Sequence, residues 1–204
     1  MWIHHIPYAK SEGKLRTLYD RVKGPADIID NIMLAHSLRP HTMEGHMALY
    51  KATLHHARNS IDRWFLEALG VYTSLLNGCG YCVDHHFIGM KRQLKDDARA
   101  AAMRTALESE DLSAAFSAQE AAAIEYTRML TKEPSSLTED AIESMRSAGW
   151  PDDQILEINQ VVAYFNYANR TVLGLGVSTT GDVLGLSPNA TDNSADWNHR
   201  PVED

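Results

Sequence analysis

Cysteine is nearly absent from this sequence: among 204 residues there are two, Cys79 and Cys82, three positions apart. A loop that short restrains little unfolded-chain entropy when closed as a disulfide. A disulfide-stapled scaffold is therefore a poor explanation, and in a reducing compartment such a pair is more often catalytic or metal-binding. Long apolar runs are also missing. Nothing approaches the roughly 18–20 uncharged residues of a membrane span, and the opening MWIHHIPYAK has neither the apolar stretch nor the small-residue cleavage site of a secretory signal. The expectation is a cytoplasmic protein with no membrane partner. Lys/Arg-rich blocks are lacking too, and the formal net charge of -8 removes the main source of affinity for nucleic acid. Substrates are expected to be small or neutral. No Gly-rich phosphate loop and no Ser/His/Asp order stands out.

What is present is helical periodicity. With no alternating strand pattern anywhere, the chain reads as all-α. Helices are predicted over Gly13 to Val22, Ala26 to Leu38, and, beyond an interruption at Pro40, Thr42 to Ala57. Ser60 is the expected cap of a helix from Ile61 to Leu76, where Leu66, Leu69, Tyr72 and Leu76 form one apolar stripe. Asn77-Gly78 breaks it, and a further helix is predicted from near Cys79 to Gln93. Others follow at Asp97 to Glu108, Ala118 to Leu130 and Glu139 to Ala148. The last runs from Asp152 to Gly176, with Ile155, Ile158, Val162, Phe165 and Val172 marking it as central to the core. This gives one expected domain, 1–186, followed by a polar, loosely ordered tail, 187–204, that Trp197 would pin.

The chemistry concentrates in EALGVYTSLLNGCGYCVDHHFIGMKR. On a helix Cys79, Cys82 and His86 fall at i, i+3 and i+7, one stripe on one face. Cys79 occupies the helix start, where unpaired N–H groups and the dipole favour a thiolate. His86 lies one turn beyond Cys82, within proton-exchange reach. The Asn77-Gly78 turn folds the preceding helix back and brings Glu67 toward the His86 ring, completing a nucleophile, base and orienter set. Zinc is the competing reading, with Cys79, Cys82 and His86 as three ligands and His55, His56 or His85 as the fourth. Three ligands on one stripe crowd poorly around a tetrahedral ion. Asn166, Asn169 and Arg170, in mid-helix, read as buried hydrogen-bonding residues that buttress the hairpin or a subunit contact. Most other histidines, His199 among them, read as surface or packing residues.

The spacing Glu67, eleven residues, Cys79, two residues, Cys82, three residues, His86 resembles the alkylhydroperoxidase AhpD branch of the carboxymuconolactone decarboxylase superfamily. CGYC, and the later FNYANR followed by LGLG, are most similar to its "peroxidase-related" subgroup, and the general pattern extends over Asp30 to Gly176. The resemblance implies an all-α AhpD-like fold with the redox centre on a helical hairpin, association into homo-oligomers, and no metal or other cofactor. It also implies a peroxidase in which Cys82 attacks a small-molecule peroxide and becomes a sulfenic acid. Cys79 then resolves it as a disulfide, Glu67 and His86 relay protons, and a dithiol or lipoyl-type reductant restores the pair. The best-known members carry a His between the cysteines where this chain has Tyr81. A thiol-disulfide oxidoreductase and a non-enzymatic zinc-stabilised or oligomeric binding module are the alternatives.

Overall fold

The computed structural model describes residues 1–193 and 195–198. His199 and the remainder of the expected tail to residue 204 lie outside the described residues. Among those described, nine α-helices account for the architecture: α1 (Gly13–Val22), α2 (Asn31–Ala35), α3 (Pro40–Leu54), α4 (Arg63–Leu76), α5 (Gly80–Leu94), α6 (Asp97–Ser109), α7 (Ala118–Lys132), α8 (Glu139–Ser147) and α9 (Asp152–Leu175). The only β pairing among them is an isolated bridge between His56 and Thr191. The chain divides into two compact units, one of residues 60–169 and the other of residues 1–59 and 170–204.

The 60–169 unit is built on the antiparallel pair α4 and α5, with α4 also packed on α7, α5 on α6, and α7 on α8. Every residue of α4 from Phe65 to Ser74 is buried. A helix apolar on nearly all sides belongs at the centre of a bundle, and α4 holds that place more completely than α9, where Leu156 and Tyr167 stay exposed. The first half of α9 lies along α4. A Cβ on Gly70 would sit 2.1 Å from the Phe165 ring, so only glycine lets the two helices approach this closely.

Helix ends obey local chemistry, with two departures from the sequence reading. Ser60 does not cap α4; its N–H and hydroxyl donate to Glu157 on α9 at 3.0 and 3.2 Å, and Asp62 takes the N-cap position. The predicted helix over Ala26 to Leu38 is reduced to α2, because Ala26 and Asp27 adopt φ of 56° and 58°, a left-handed conformation that ends helical propagation. Ser117 and Glu120 form a reciprocal capping box that starts α7.

The other unit buries Leu18, Tyr19, Met43, Met47 and Trp197 in one apolar cluster. Trp197 also lies under the Arg21 guanidinium, 3.7 Å from its carbon to the ring centre. Lys51, fully buried on α3, donates to the Asn189 carbonyl and to Thr191 Oγ1. Arg21 donates to the Ala195 carbonyl at 2.6 Å. These contacts seat Asn189, Thr191, Ala195 and Trp197 on α1 and α3.

Candidate active site

Two side-chain pairs lie on α4 and α5 in the 60–169 unit: Cys79 with Cys82, and Glu67 with His86. Gly78, at φ +69°, makes the turn that sends α5 back along α4. Cys79 follows as the N-cap of α5, and Cys82 lies in the first helical turn. Both thiols are buried, with 1% and 3% of their residue surface exposed, and their sulfurs are 2.9 Å apart. That is hydrogen-bonding distance for thiols and well beyond the roughly 2.05 Å of a disulfide; both cysteines are free. One turn further on, His86 Nδ1 donates to Glu67 Oε2 at 2.7 Å. Glu67 is 3% exposed, so this bond lies largely outside water. It fixes the imidazole tautomer and leaves the Nε2 lone pair as the one able to take a proton.

The approach of the carboxylate depends on a second glycine. A Cβ on Gly89 would lie 3.1 Å from Glu67 Oε1. The His86 ring is held from the side by Phe165, edge-on at 4.5 Å between centres. Phe165 thus fills the space at Gly70 and fixes the imidazole at once.

The two thiols have different proton affinities. A hydrogen bond from the Cys82 thiol draws Cys79 below the ordinary thiol range, with the Cys82 backbone N–H adding to it against the opposing effect of burial. Cys82 is pushed well above that range by donating to Cys79, by deeper burial and by the charge on Cys79. Of the two, Cys79, at the helix N-terminus, gives up its proton the more readily. This agrees with the helix-start argument for Cys79.

Asn169 of α9 and Ser74 of α4 counter part of the rise in Cys82 as hydrogen-bond donors. Asn169 Nδ2 donates to Ser74 Oγ at 3.1 Å, and Asn77 Nδ2 donates to Asn166 Oδ1 and Asn169 Oδ1 at 3.0 Å each. Tyr164 is buried nearby, its phenol raised well above the ordinary value by burial and then by Cys82, Tyr167 and Glu67. The unfavourable mid-helix Asn pair marks part of this network in the sequence. Ser74, Gly70, Gly89 and Tyr164 carry no comparable mark, although glycine inside a helix costs about 1 kcal/mol relative to alanine and so asks for a reason.

Tyr81 stacks on His85 at 4.5 Å between ring centres, and Asp84 is exposed. Among the described residues no group of three or more His, Cys, Asp and Glu side chains is placed to hold a metal ion. The ligand set required by the zinc reading is therefore not assembled. No helix among the described residues is long and apolar enough to cross a membrane.

No protein-family model matches the chain. It is similar to the uncharacterized protein YdfG of Bacillus subtilis, at 23% identity over 141 residues, 69% of this chain and 91% of that protein. Among solved structures it is similar to an alkylhydroperoxidase AhpD core, an uncharacterized peroxidase-related protein of Ralstonia eutropha JMP134. The TM-score is 0.76 at 20% identity, over 88% of this chain and 92% of that one. The debrominase Bmp8, solved as a cysteine-to-alanine variant with 2,3,4-tribromopyrrole, matches with a TM-score of 0.64 at 16% identity, over 81% of this chain and 83% of that one. The fold that carries Glu67, Cys79, Cys82 and His86 is the all-α AhpD-like fold.

Proposed function

We propose that the protein is a thiol peroxidase that reduces hydrogen peroxide or a small organic hydroperoxide. The observation that carries this reading is the approach of two buried, free thiols to 2.9 Å, one turn from an imidazole oriented by a buried carboxylate. The fold's occurrence in an AhpD core and in peroxidase-related proteins supports it.

Cys82 is the attacking thiol. Its proton passes to Cys79 or to His86, and the thiolate attacks the distal peroxide oxygen. The S–O bond forms as the O–O bond breaks, and the departing alkoxide or hydroxide takes a proton from His86. Cys79 then attacks the Cys82 sulfenic sulfur. The S–S bond forms, the S–O bond breaks, and hydroxide leaves as water with a second proton. Two thiols supply the two electrons, so each peroxide yields one alcohol or water, a further water and one disulfide. A dithiol reductant, of lipoyl type or otherwise, returns both electrons by exchange. Glu67 stabilises the imidazolium that appears between these transfers.

Burial favours peroxide over a folded protein's disulfide as oxidant. Sulfurs that are 1% and 3% exposed by residue admit a peroxide, little larger than water, and a slender dithiol more readily than the surface of a folded protein. A reducing cytoplasmic setting fits the free thiol pair. Exposed Leu156 and Tyr167 on α9 supply an apolar face for association with a second copy.

The test is stoichiometric. Reduced protein treated with hydrogen peroxide or tert-butyl hydroperoxide should consume one peroxide per cysteine pair and form a Cys79–Cys82 disulfide. Cys79→Ser should stop at a Cys82 sulfenic acid that dimedone traps, and Cys82→Ser should form none. An unchanged thiol titre after prolonged exposure would overturn the proposal.

A further inference from the structure

The backbone of Cys79 is held from both sides. At the end of α4, Gly78 N–H donates to the Leu75 carbonyl at 3.0 Å and Cys79 N–H to the Ser74 carbonyl at 2.8 Å. With Gly78 in the left-handed region, this is the Schellman arrangement of a helix C-terminus. The Cys79 carbonyl in turn accepts from Val83 N–H at 3.0 Å and opens α5. One residue thus closes one helix and starts the next. Cys82 lies three residues on in the same helix, so the separation of the two sulfurs depends on how firmly this turn is held.

Those backbone bonds tie the turn to its own two helices, and side chains tie it to others. Asn77, the C-cap of α4, gives one Nδ2 hydrogen to Asn166 Oδ1 and the other to Asn169 Oδ1, each at 3.0 Å. With both amide hydrogens engaged by one neighbouring helix, the side chain has a single orientation. Its acceptors on α9 are themselves anchored. Asn166 Nδ2 donates to Thr131 Oγ1 of α7 at 3.2 Å and to the Val162 carbonyl at 3.1 Å. Asn169, fully buried, donates from Nδ2 to Ser74 Oγ at 3.1 Å, and Ser74 is the residue whose carbonyl holds Cys79 N–H. Lys132, at the end of α7, donates to the Leu76 carbonyl, one of the acceptors that the last turn of α4 leaves open.

We propose that Asn77 is a positioning residue for the Cys79–Cys82 pair: by locking the α4–α5 turn to α9 it keeps the two sulfurs at their 2.9 Å approach and draws their equilibrium toward the disulfide. Closing the pair removes two electrons and two protons and joins the sulfurs. In a turn that swings, one thiol must first be brought back to the other, and the freedom lost in doing so opposes closure. A locked turn has already given up that freedom as the dithiol, which is how fixed geometry raises the effective concentration of one reacting group toward another. Lys132 contributes in the same sense from α7, through a single bond at the protein surface.

The role in turnover rests on the peroxidase reading, in which Cys79 must reach the Cys82 sulfenic sulfur, but the dithiol–disulfide equilibrium is measured without peroxide. The protein is equilibrated with mixtures of reduced and oxidised dithiothreitol, whose cyclic disulfide takes the two electrons, and the oxidised fraction is read after acid quench by thiol alkylation. Asn77→Ala should lower the equilibrium constant for disulfide formation by about three- to tenfold, part of the net strength of two hydrogen bonds. Linkage requires the same factor in stability, so the substitution should lower the urea-unfolding free energy of the oxidised protein more than that of the reduced one. A merely structural asparagine would lower both alike. Ile124→Val, in the buried face of α7, should lower the urea midpoint and leave the equilibrium unmoved. Lys132→Met, at an exposed position, should shift the equilibrium in the same direction by a smaller factor, and it decides the matter if Asn77→Ala does not fold. A wild-type equilibrium constant in Asn77→Ala, or in Lys132→Met in that second case, would overturn the proposal, as would an equal shift in Ile124→Val. Peroxide consumption by the wild type is scored separately: its absence sinks the peroxidase reading, whereas an unmoved equilibrium sinks the role of Asn77.

Discussion

His86 Nδ1 donates to Glu67 Oε2 at 2.7 Å across the α4–α5 pair, with the carboxylate almost wholly out of water. The bond fixes both the tautomer and the plane of the imidazole. Proton transfer by a positioned side chain contributes roughly 10²–10⁴-fold to rate. His86→Asn should therefore lower the peroxide reaction by that order. Glu67→Gln should lower it less, because the amide still holds the ring but no longer stabilises the imidazolium. Stopped-flow measurement of Cys82 oxidation checks both, and a Glu67→Gln rate equal to wild type would remove the relay from the mechanism.

The two helix-interior glycines should respond oppositely to alanine. At Gly70 the new Cβ would lie 2.1 Å from the Phe165 ring, an overpacking that costs about 1–3 kcal/mol and outweighs the gain of about 1 kcal/mol in helix propensity. Gly70→Ala should lower the urea midpoint, and Phe165→Leu should relieve part of the loss, so that the double mutant is more stable than the sum of the singles. At Gly89 the atoms nearest the Cβ are those of the Glu67 carboxylate, 3.1 Å away. Gly89→Ala should keep or raise the midpoint while displacing the carboxylate and slowing the peroxide reaction by about tenfold or more. A Gly89→Ala protein of normal rate would mean that Glu67 need not stay where it is.

These glycines also show where sequence reading stops. Period, turn residues and spacing placed Glu67, Cys79, Cys82 and His86 on two consecutive helices, because an α4–α5 hairpin is a local object governed by Asn77-Gly78 and the 3.6-residue repeat. Gly70 against Phe165 joins positions 95 apart in the chain, and no local pattern encodes such a contact. Ser74 was hidden for the same reason: a serine inside a helix reads as an indifferent residue until Asn169 arrives from α9. Ala26 and Asp27 show the converse limit, since good helical patterning around them yields to a backbone reversal with φ of 56° and 58°.

The opposed proton affinities of the cysteines predict a split titration. Cys79 lies below the ordinary thiol range and Cys82 well above it. As pH rises, the thiolate fraction of Cys79 therefore grows first. Iodoacetamide should label Cys79 ahead of Cys82 as pH rises, as read by peptide mass mapping, and the alkylation midpoint of Cys79 should fall below that of a free cysteine. Cys82→Ala removes the thiol that donates to Cys79 and should move that midpoint upward. Equal labelling of the two cysteines at every pH would contradict the opposed proton affinities. Because labelling at rest reports charge and not attack, Cys79 can be the faster alkylated thiol while Cys82 is the one oxidised by peroxide.

His36, in the other unit, is expected to set an acid limit on stability. Its Nδ1 is 2.8 Å from Thr42 Oγ1, which itself donates to the Arg39 carbonyl at 2.8 Å. The hydroxyl proton is thus engaged, and the ring must donate from Nδ1, leaving Nε2 unprotonated. Nε2 is buried with no hydrogen-bond partner among the described residues, and the His46 ring lies 5.1 Å away between centres. Burial lowers the His36 pKa below its ordinary 6.5. The folded state therefore binds the proton less readily than the unfolded chain, and stability is full above about pH 6.5. As pH falls from there to the lowered value, the unfolded chain holds a proton that the folded protein does not, and stability declines by up to about 1.4 kcal/mol per pH unit. Below the folded value the slope from this group vanishes. Urea unfolding at pH 7.5 and 5.5 should show this loss in the wild type and a smaller one in His36→Gln, which cannot titrate. Equal losses in the two proteins would assign the acid sensitivity to other groups.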